Sequence, residues 1–562
     1  MIILGLHSAV AWDGNNSDDW SRIHDAGATL FINGRHHRSI SEERLSRIKY
    51  DGDFAERSID YVLGGISKED VNIVAYSPSA VHLCNMHSMD KKISAFLKNM
   101  FPNAEIWFVG HHLAHAMSAV VTSPFKQGSY LTLDGMGSAQ WDFAAGMTKG
   151  YENHSIGTFD LDKKNLINHT MKSGSGENSF GDFYMNLACY VYKMALSTKT
   201  VDDKFHYSSK KDLTKVLQFS AEGKIMGLSA YGKPSTKNTP YTFSTEIAPQ
   251  MMGIDTYEFG PPWINFHKYN EVIEHIKDLS SEDAAYYVQN HFEEAIVKWI
   301  TSLRQEGYLS ENVCFAGGCF LNVCANTLLR PLFKNIWIPP FTNDTGVHFG
   351  AAAWASMRCN EELQMPTNVA FLGKTYDDFI PDGEKEYFED FDLLCEVVAK
   401  KIKDENAIIG WFQGRSEHGP RALGSRSILM SPCKLENKDI MNSRVKHREY
   451  WRPFAGVIQE HLVKDYFKEG FSTPYMLFSQ HVKTDKLPAI THEDGTCRIQ
   501  TVNRDQNERL YSLLEKVEHG CLLNTSFNDN GEPIVEEPMD AILAFRNMDI
   551  DYLVIGNYLI WN

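Results

Sequence analysis

The chain has no run of about 18 consecutive apolar residues, so no membrane-spanning helix is expected. Its first residues, Met1-Ile2-Ile3-Leu4-Gly5-Leu6-His7, lack the basic start and long apolar stretch of a signal peptide, and a cytoplasmic protein is expected. Cysteine is sparse, 10 in 562 residues, with no CxxC pair. That excludes a disulfide framework and suits a reducing compartment. Cys314, Cys319 and Cys324, evenly spaced, read as small buried hydrophobes rather than as metal ligands. Positive charge is in deficit, and a formal net charge of −17 does not provide the basic footprint of a nucleic-acid binder. Low-complexity tracts and internal repeats are missing too, which removes the disordered and solenoid classes. Neither the phosphate loop GxxxxGK(S/T) nor the dinucleotide fingerprint GxGxxG occurs.

What is present is the composition of a globular enzyme, too long for a single core, so two or more domains are expected. Strand-like runs at 1–6, 28–32, Val71–Tyr76, Ile106–Val109 and Tyr130–Leu133 alternate with a helical pattern at Leu113–Val121. A long amphipathic pattern, Ala284–Leu303, leads into a strand at Asn312–Ala316 and then Gly317-Gly318. Strand, glycine turn and helix in alternation predict an α/β fold. The pattern lapses between Arg358 and Gly373, which divides the chain into a first domain, 1–365, and a second, 366–562. The second carries a helix near 392–403, a strand at Ala407–Phe412 and strand-like runs at 454–459 and 551–560. The polar loop Ala11–Arg22 is long enough to serve as a lid.

Three groups of residues carry chemistry. In His111-His112-Leu113-Ala114-His115 the outer histidines stand four apart, on one face of a helix, with His112 turned away. A lone HxxxH is common. Here Asp134, after a strand and before Gly135, and Asp344, near Gly346, can add two carboxylates for an iron- or manganese-type ion. The second group is glycine-rich: Asp134–Gly137, Gly223–Leu228, Gly317-Gly318 and Gly346 read as element-edge turns whose bare N–H groups can cradle phosphates. Ordinary turn glycine is the bland alternative for each. The third is the cationic stretch Gly414–Arg426 followed by Asn442–Phe454, rich in Arg, Lys and His within an acidic protein. Glycine, proline and tryptophan among the cations point to a rigid anion pocket rather than a solvated basic surface. The turn Asn524–Asn528 can complete it with neutral donors.

Ile23–Ala28, Ser41–Arg44, HHLAHAMSA (111–119), LDGMG (133–137), KIMGLSAYGKP (224–234), AGGCFLN (316–322), GRSEHGPRALGSRSIL (414–429), NSRVKHREYWRPFA (442–455) and LNTSFN (523–528) together resemble the O-carbamoyltransferases of antibiotic and nodulation-factor biosynthesis. The resemblance covers nearly the whole chain. It implies an actin-like ATPase-type first domain and a second α/β domain similar to threonylcarbamoyl-AMP synthase. It further implies that carbamoyl phosphate and ATP form carbamoyl adenylate in the second domain, and that the first domain passes the carbamoyl group to a hydroxyl of a small natural product. On that resemblance His24 is the general base, oriented by Asp25, and His111, His115, Asp134 and Asp344 hold a divalent metal, iron, with manganese or zinc as alternatives. ATP, with Mg, is expected at Gly135, Gly137, Lys224, Gly227, Gly317, Gly318 and Asn322. Carbamoyl phosphate is expected at His418, Arg421, Arg426, Arg444, Lys446, Arg452, Asn524 and Ser526. The loop before His24 is longer than in known members, and residues Thr198–Ser220 are unusually rich in Lys and Asp; both bear on the acceptor. Expected partners are the hydroxyl acceptor and carbamoyl phosphate, with no nucleic acid or membrane, and with a homodimer left open. The alternatives are a tRNA-modifying carbamoylase, disfavoured by the negative charge, and a non-catalytic nucleotide-binding module, disfavoured by the second anion site.

Overall fold

The computed structural model describes residues 1–9, 24–78, 86–135, 139–142, 147–174, 179–198, 221–234 and 270–561; loop 11–22, Gly137 and residues 199–220 lie outside them. None of the helices described is long and apolar enough to cross a membrane. The fold is α/β, as expected.

Strand β1 (Ile2–His7) is apolar along nearly its whole length because both its faces are covered. It lies at the centre of a sheet of order β3-β2-β1-β4-β5, with β2 (Gly27–Ile32), β3 (Arg35–Ser41), β4 (Ile73–Tyr76) and β5 (Glu105–Phe108). β1 runs antiparallel to β2 and parallel to β4. A second sheet has the order β11-β10-β6-β8-β7, with β6 (Gln127–Leu133), β7 (Ala139–Asp142), β8 (Met147–Asp160), β10 (Asn312–Ala316) and β11 (Asn335–Trp337); β9 (Asn165–Gly174) pairs with β8. Two helices, α1 (His111–Thr122) and α2 (Val347–Arg358), cross between these sheets.

The approach of α2 is close at two glycines. A Cβ on Gly5 would stand 2.0 Å from the His348 carbonyl oxygen, and one on Gly350 would stand 1.8 Å from that of Ala114 in α1. Only glycine lets the strand and both helices meet at this spacing. The consequence reaches the polar centre below, because α1 carries two histidines and α2 follows directly from Asp344.

The C-terminal sheet runs, in order, Lys385–Tyr387, Tyr558–Ile560, Tyr552–Ile555, Ile409–Phe412, Arg426–Met430, Cys521–Ser526, Ala455–Gln459 and Ile499–Val502. Alternation with period two covers both faces. Ile409, Trp411 and Leu429 pack under helices Phe391–Asp404 and Glu508–Lys516, while Phe412, Ile428 and Met430 face helix Pro538–Asn547.

Two local expectations are corrected. The run 551–560 is a hairpin of two strands, turned at Gly556 with φ 56°, not one strand. Gly223 and Gly227 belong to a helix at 221–228 rather than to an edge turn. The apolar positions Ile225 and Leu228 give that helix a buried face, and tertiary packing overrides the weak helix propensity of glycine.

Gly350→Ala is therefore expected to destabilise the protein by about 1–3 kcal/mol through overpacking against α1. Gly223→Ala, whose Cβ would meet nothing within 4 Å, is expected to be neutral or to stabilise by up to about 1 kcal/mol. Thermal unfolding of the two variants checks this, and equal midpoints would contradict it.

Candidate active site: a histidine–aspartate cluster and a cation pocket

His111 opens α1 behind Gly110, and one turn later His115 presents its ring on the same face. Asp134 follows the last residue of β6, and Asp344 begins the short turn that leads into α2. The four side chains converge. His111 Nε2 lies 3.1 Å from Asp134 Oδ2 and 3.4 Å from Asp344 Oδ1. His115 Nε2 lies 3.5 and 3.2 Å from the same two atoms. The two Nε2 atoms are 3.2 Å apart, and one ligand atom from each residue fits within a mutual distance of 4.8 Å.

Burial alone would strip protons from these imidazoles, yet Asp344 and Asp134 outweigh it and push His111 up to about 10. Against burial, His115 is raised too, by its bonds to Asp134 and Asp344. Burial disfavours both carboxylates in turn, but the histidines hold Asp134 and Asp344 below the usual range. Two nitrogen and two oxygen donors at this spacing fit a divalent ion, which would take the place of the imidazole protons. His112 is turned away, buried and neutral, its Nδ1 3.0 Å from Ser155 Oγ. His7, at the end of β1, stands 3.8 Å from Asp344 Oδ2 and hydrogen-bonds Ser77 through Nδ1. It was not singled out from the sequence, because a histidine ending an apolar strand has no local motif.

His24 sits at the rim of this cluster. Its Nδ1 donates to Asp25 Oδ2 at 3.1 Å, and its Nε2 is 3.8 Å from Asp344 Oδ2. Asn343 Nδ2 donates to the same Asp25 oxygen at 2.8 Å. The ring does not keep the ordinary imidazole pKa of about 6.5 that would suit a general base. Burial would lower it, but Asp344 and Asp25 together raise it to about 9.

Of the glycines, Gly317 and Gly318 stand beside the cluster, and the Gly318 N–H donates to Asp134 Oδ1 at 3.0 Å. A Cβ on Gly317, where φ is 100°, would lie 2.0 Å from the Leu133 carbonyl oxygen. Gly135 is open, with nothing near its Cβ position. Asn322 has other work: it caps helix Val323–Leu329 and exchanges amide hydrogen bonds with Gln289. Lys224 and Gly227 turn to the C-terminal sheet's loops: Lys224 pairs with Glu449 at 3.2 Å, and the Gly227 carbonyl accepts from His492 at 2.8 Å.

The second centre is cationic. Arg421, Lys446, Arg448, Arg452 and Arg498 lie within electrostatic reach of one another. Burial first, and then mutual repulsion, push Arg421 down to about 10, Arg498 to about 9, and Lys446 and Arg448 well below their ordinary values. The Nε atoms of Arg421, Arg448 and Arg498 are buried without a hydrogen-bond partner. Unpaired buried cations in such a group are relieved by an anion. Lys446 ends a π-helical turn, Asn442–Lys446, a form that recurs at functional sites. Its ammonium is anchored by the carbonyls of Ser526 at 2.9 Å and Asn528 at 2.5 Å.

Not every expected phosphate ligand faces this pocket. Arg444 is held in a fork by Asp549 at 2.7 Å and Asp551 at 2.7 Å. Arg426 is buried over the Phe412 ring and donates to the carbonyls of Gln413, Ser425 and Glu536. His418 donates to the Thr345 carbonyl at 2.7 Å, and burial holds it neutral, down to about 3. Asn524 donates to Gln500 Oε1 at 3.1 Å, while its own Oδ1 is buried and unpartnered. Arg448 and Arg498, which belong to the cation group, were not singled out from the sequence. Arg448 lay inside the basic stretch without distinction, and Arg498 stands alone between Cys497 and Ile499, in a sequence context that carries no signal.

An α/β chain thus combines a buried histidine–aspartate cluster whose donors suit a divalent ion with a separate group of buried cations that suits an anion. Residues 74–353 match the family model for the carbamoyltransferase N-terminus, and residues 399–562 match that for the carbamoyltransferase C-terminus. The whole chain is 31% identical to nodulation protein NolNO of Sinorhizobium fredii, covering 82% of it. It is 30% identical to nodulation protein NolO of Bradyrhizobium diazoefficiens, over 80% of this chain and 78% of the relative. Full-length HypF in its phosphate- and nucleotide-bound form is similar at 15% identity and a TM-score of 0.32, over 64% of this chain and 56% of HypF. The chain belongs to the carbamoyltransferase family and is an enzyme of that class.

His115→Ala is expected to lose bound divalent metal, measured by elemental analysis after equilibration with iron(II) or manganese(II); undiminished stoichiometry would contradict the ligand set. Because His111 and His115 hold protons that a metal must displace, affinity should rise with pH across neutrality. Arg498→Ala should weaken inorganic phosphate binding roughly 10–100-fold in calorimetry, the loss of one charge-assisted contact, whereas Arg444→Ala should leave it nearly unchanged.

Proposed function

We propose that the protein uses carbamoyl phosphate and ATP to form carbamoyl adenylate, then transfers the carbamoyl group to a hydroxyl of a small natural product. Membership of the carbamoyltransferase family supports the group transferred. The observation that carries the rest is the cation pocket, whose buried guanidinium Nε atoms have no protein partner. Phosphate oxygens are acceptors of matching geometry and charge. Arg421, Lys446, Arg448, Arg452 and Arg498 would bind carbamoyl phosphate, with Lys446 fixed by the Ser526 and Asn528 carbonyls. Concentrated positive charge there stabilises phosphate as it departs and the negative charge that develops on carbamate oxygen.

The transfer step is assigned to the first centre. His111, His115, Asp134 and Asp344 would hold the divalent ion, which supplies charge stabilisation for a bound adenylate phosphate. Gly135, with open space at its Cβ position, leaves room there for a phosphate to which backbone N–H groups can donate, while the Gly318 N–H holds Asp134. His24 would take the acceptor proton. Asn343 orients Asp25, and Asp25 orients the His24 ring. With Asp344 unligated, His24 keeps its proton at neutral pH, since its pKa stands at about 9. A cation held at Asp344 would weaken the largest attraction acting on that proton and so lower the His24 pKa toward the range of a general base, while Asp25 would keep the ring oriented.

Separating the half-reactions tests this. His24→Asn should retain carbamoyl-phosphate-dependent pyrophosphate release while losing acceptor carbamoylation by about 10²–10⁴-fold, the usual worth of a placed base. Acceptors are screened by the mass gain of one carbamoyl group. Equal loss of both activities would mean that His24 holds the nucleotide or the fold, and would remove it as the base.

A further inference from the structure

Lys224 was expected beside ATP, but its ammonium is buried against the other centre. Nζ stands 3.2 Å from Glu449 Oε1 and donates to the Tyr192 hydroxyl at 2.9 Å, lying 4.3 Å from the centre of the Tyr192 ring. Tyr192 also donates to Glu449 Oε1. One carboxylate oxygen of Glu449 is thus occupied from the N-terminal side. The other, Oε2, is buried without a hydrogen bond and lies 3.5 Å from Arg452 Nη1. Arg452 is the hub of the cation pocket, acting electrostatically on each of Arg421, Lys446, Arg448 and Arg498.

The 221–228 helix is clamped to this loop at three points. Trp451 Nε1 donates to the Lys224 carbonyl at 3.2 Å, His492 donates to the Gly227 carbonyl, and a Cβ on Gly227 would stand 3.1 Å from Pro453 Cδ. Lys224 cannot drift from Glu449 without undocking the helix. Glu449 is therefore a carboxylate shared between two cations, and the share taken by Lys224 sets how much remains to neutralise Arg452.

We propose that Lys224 is a positioning residue for the carbamoyl-phosphate pocket: by holding one oxygen of Glu449, it limits the carboxylate's hold on Arg452 and leaves that guanidinium available to phosphate. This rests on the functional reading above. Without Lys224, both oxygens of Glu449 turn to Arg452, and the substrate phosphate must compete with a buried carboxylate for its central cation. The interaction runs from the 221–228 helix to the C-terminal loop, so the docked helix supports the anion-accepting arrangement of the pocket.

The test measures pyrophosphate release with carbamoyl phosphate and ATP varied in turn, together with calorimetric binding of inorganic phosphate, which needs no turnover. Lys224→Met should raise the carbamoyl-phosphate KM about tenfold and weaken phosphate binding equally, with the ATP KM shifted less than about twofold. Adding Glu449→Gln should return both phosphate terms to near the unaltered values, because the competing charge is gone. Glu449→Gln alone should leave phosphate affinity equal or tighter, and serves if Lys224→Met does not fold. A rise in the ATP KM with unchanged phosphate binding would overturn the proposal and return Lys224 to the nucleotide. So would weaker phosphate binding in Glu449→Gln, which would make Glu449 an aid to Arg452 rather than a rival. An unaltered protein that binds phosphate but releases no pyrophosphate would instead defeat the reading of the reaction, with the phosphate arm still deciding the role of Lys224.

Discussion

Two imidazoles and two carboxylates, four ionisable groups with donors inside 4.8 Å, are held almost out of water at the meeting point of two sheets and two helices. Such a group is tolerable only if its charges balance. The carboxylates offset their charge by raising the proton affinity of His111 and His115, and a divalent ion would offset it in the protons' place. Everything that fixes the cluster is backbone-level and rigid. α1 sets the spacing of the histidines, the ends of β6 and the Asp344 turn set the carboxylates, and Gly350 and Gly5 let α2 close on its neighbours. His24 depends on this arrangement as well, since its proton is held by the same Asp344 that would serve the metal.

The second centre works by the opposite rule. Its cations are gathered without enough carboxylate to neutralise them, and burial first, then repulsion from neighbouring cations, lowers the pKa of Arg421, Lys446, Arg448 and Arg498. A protein tolerates this only when surrounding packing over-determines the position of the groups. Here the aromatic ring of Phe454 lies under Arg448 at 4.1 Å, and strand-end carbonyls grip Lys446. The pocket is thereby preorganised for an anion before one arrives. Between the two centres, Glu449 and Lys224 form a buried pair joined to the hub of the pocket.

Much of this was legible in the sequence where chemistry and local geometry coincide. His111 and His115 share a face because an α-helix has 3.6 residues per turn, and Asp134 and Asp344 announced themselves as carboxylates beside glycine. Most strands of the N-terminal sheets followed from short apolar runs. The failures were tertiary. Gly223 and Gly227 read as turn residues because glycine is a weak helix former, but burial of Ile225 and Leu228 decides otherwise. The basic stretch could not separate Arg448, in the pocket, from Arg444, which is paired with Asp549 and Asp551, because those carboxylates lie 105 and 107 residues further along the chain. Arg498 lies between two short strands, with no neighbouring cation in sequence. The pKa of His24 depends on Asp344, which only folding brings near.

The central claim is that a carbamoyl adenylate forms before any acceptor is carbamoylated. Its most direct measurement is isotope exchange from labelled pyrophosphate into ATP, made without acceptor. Label should enter ATP only when carbamoyl phosphate is present, and should stop entering in Lys446→Ala, whose ammonium is fixed at the pocket by Ser526 and Asn528. Absence of exchange from a protein that still carbamoylates its acceptor would contradict the adenylate and require direct transfer from carbamoyl phosphate.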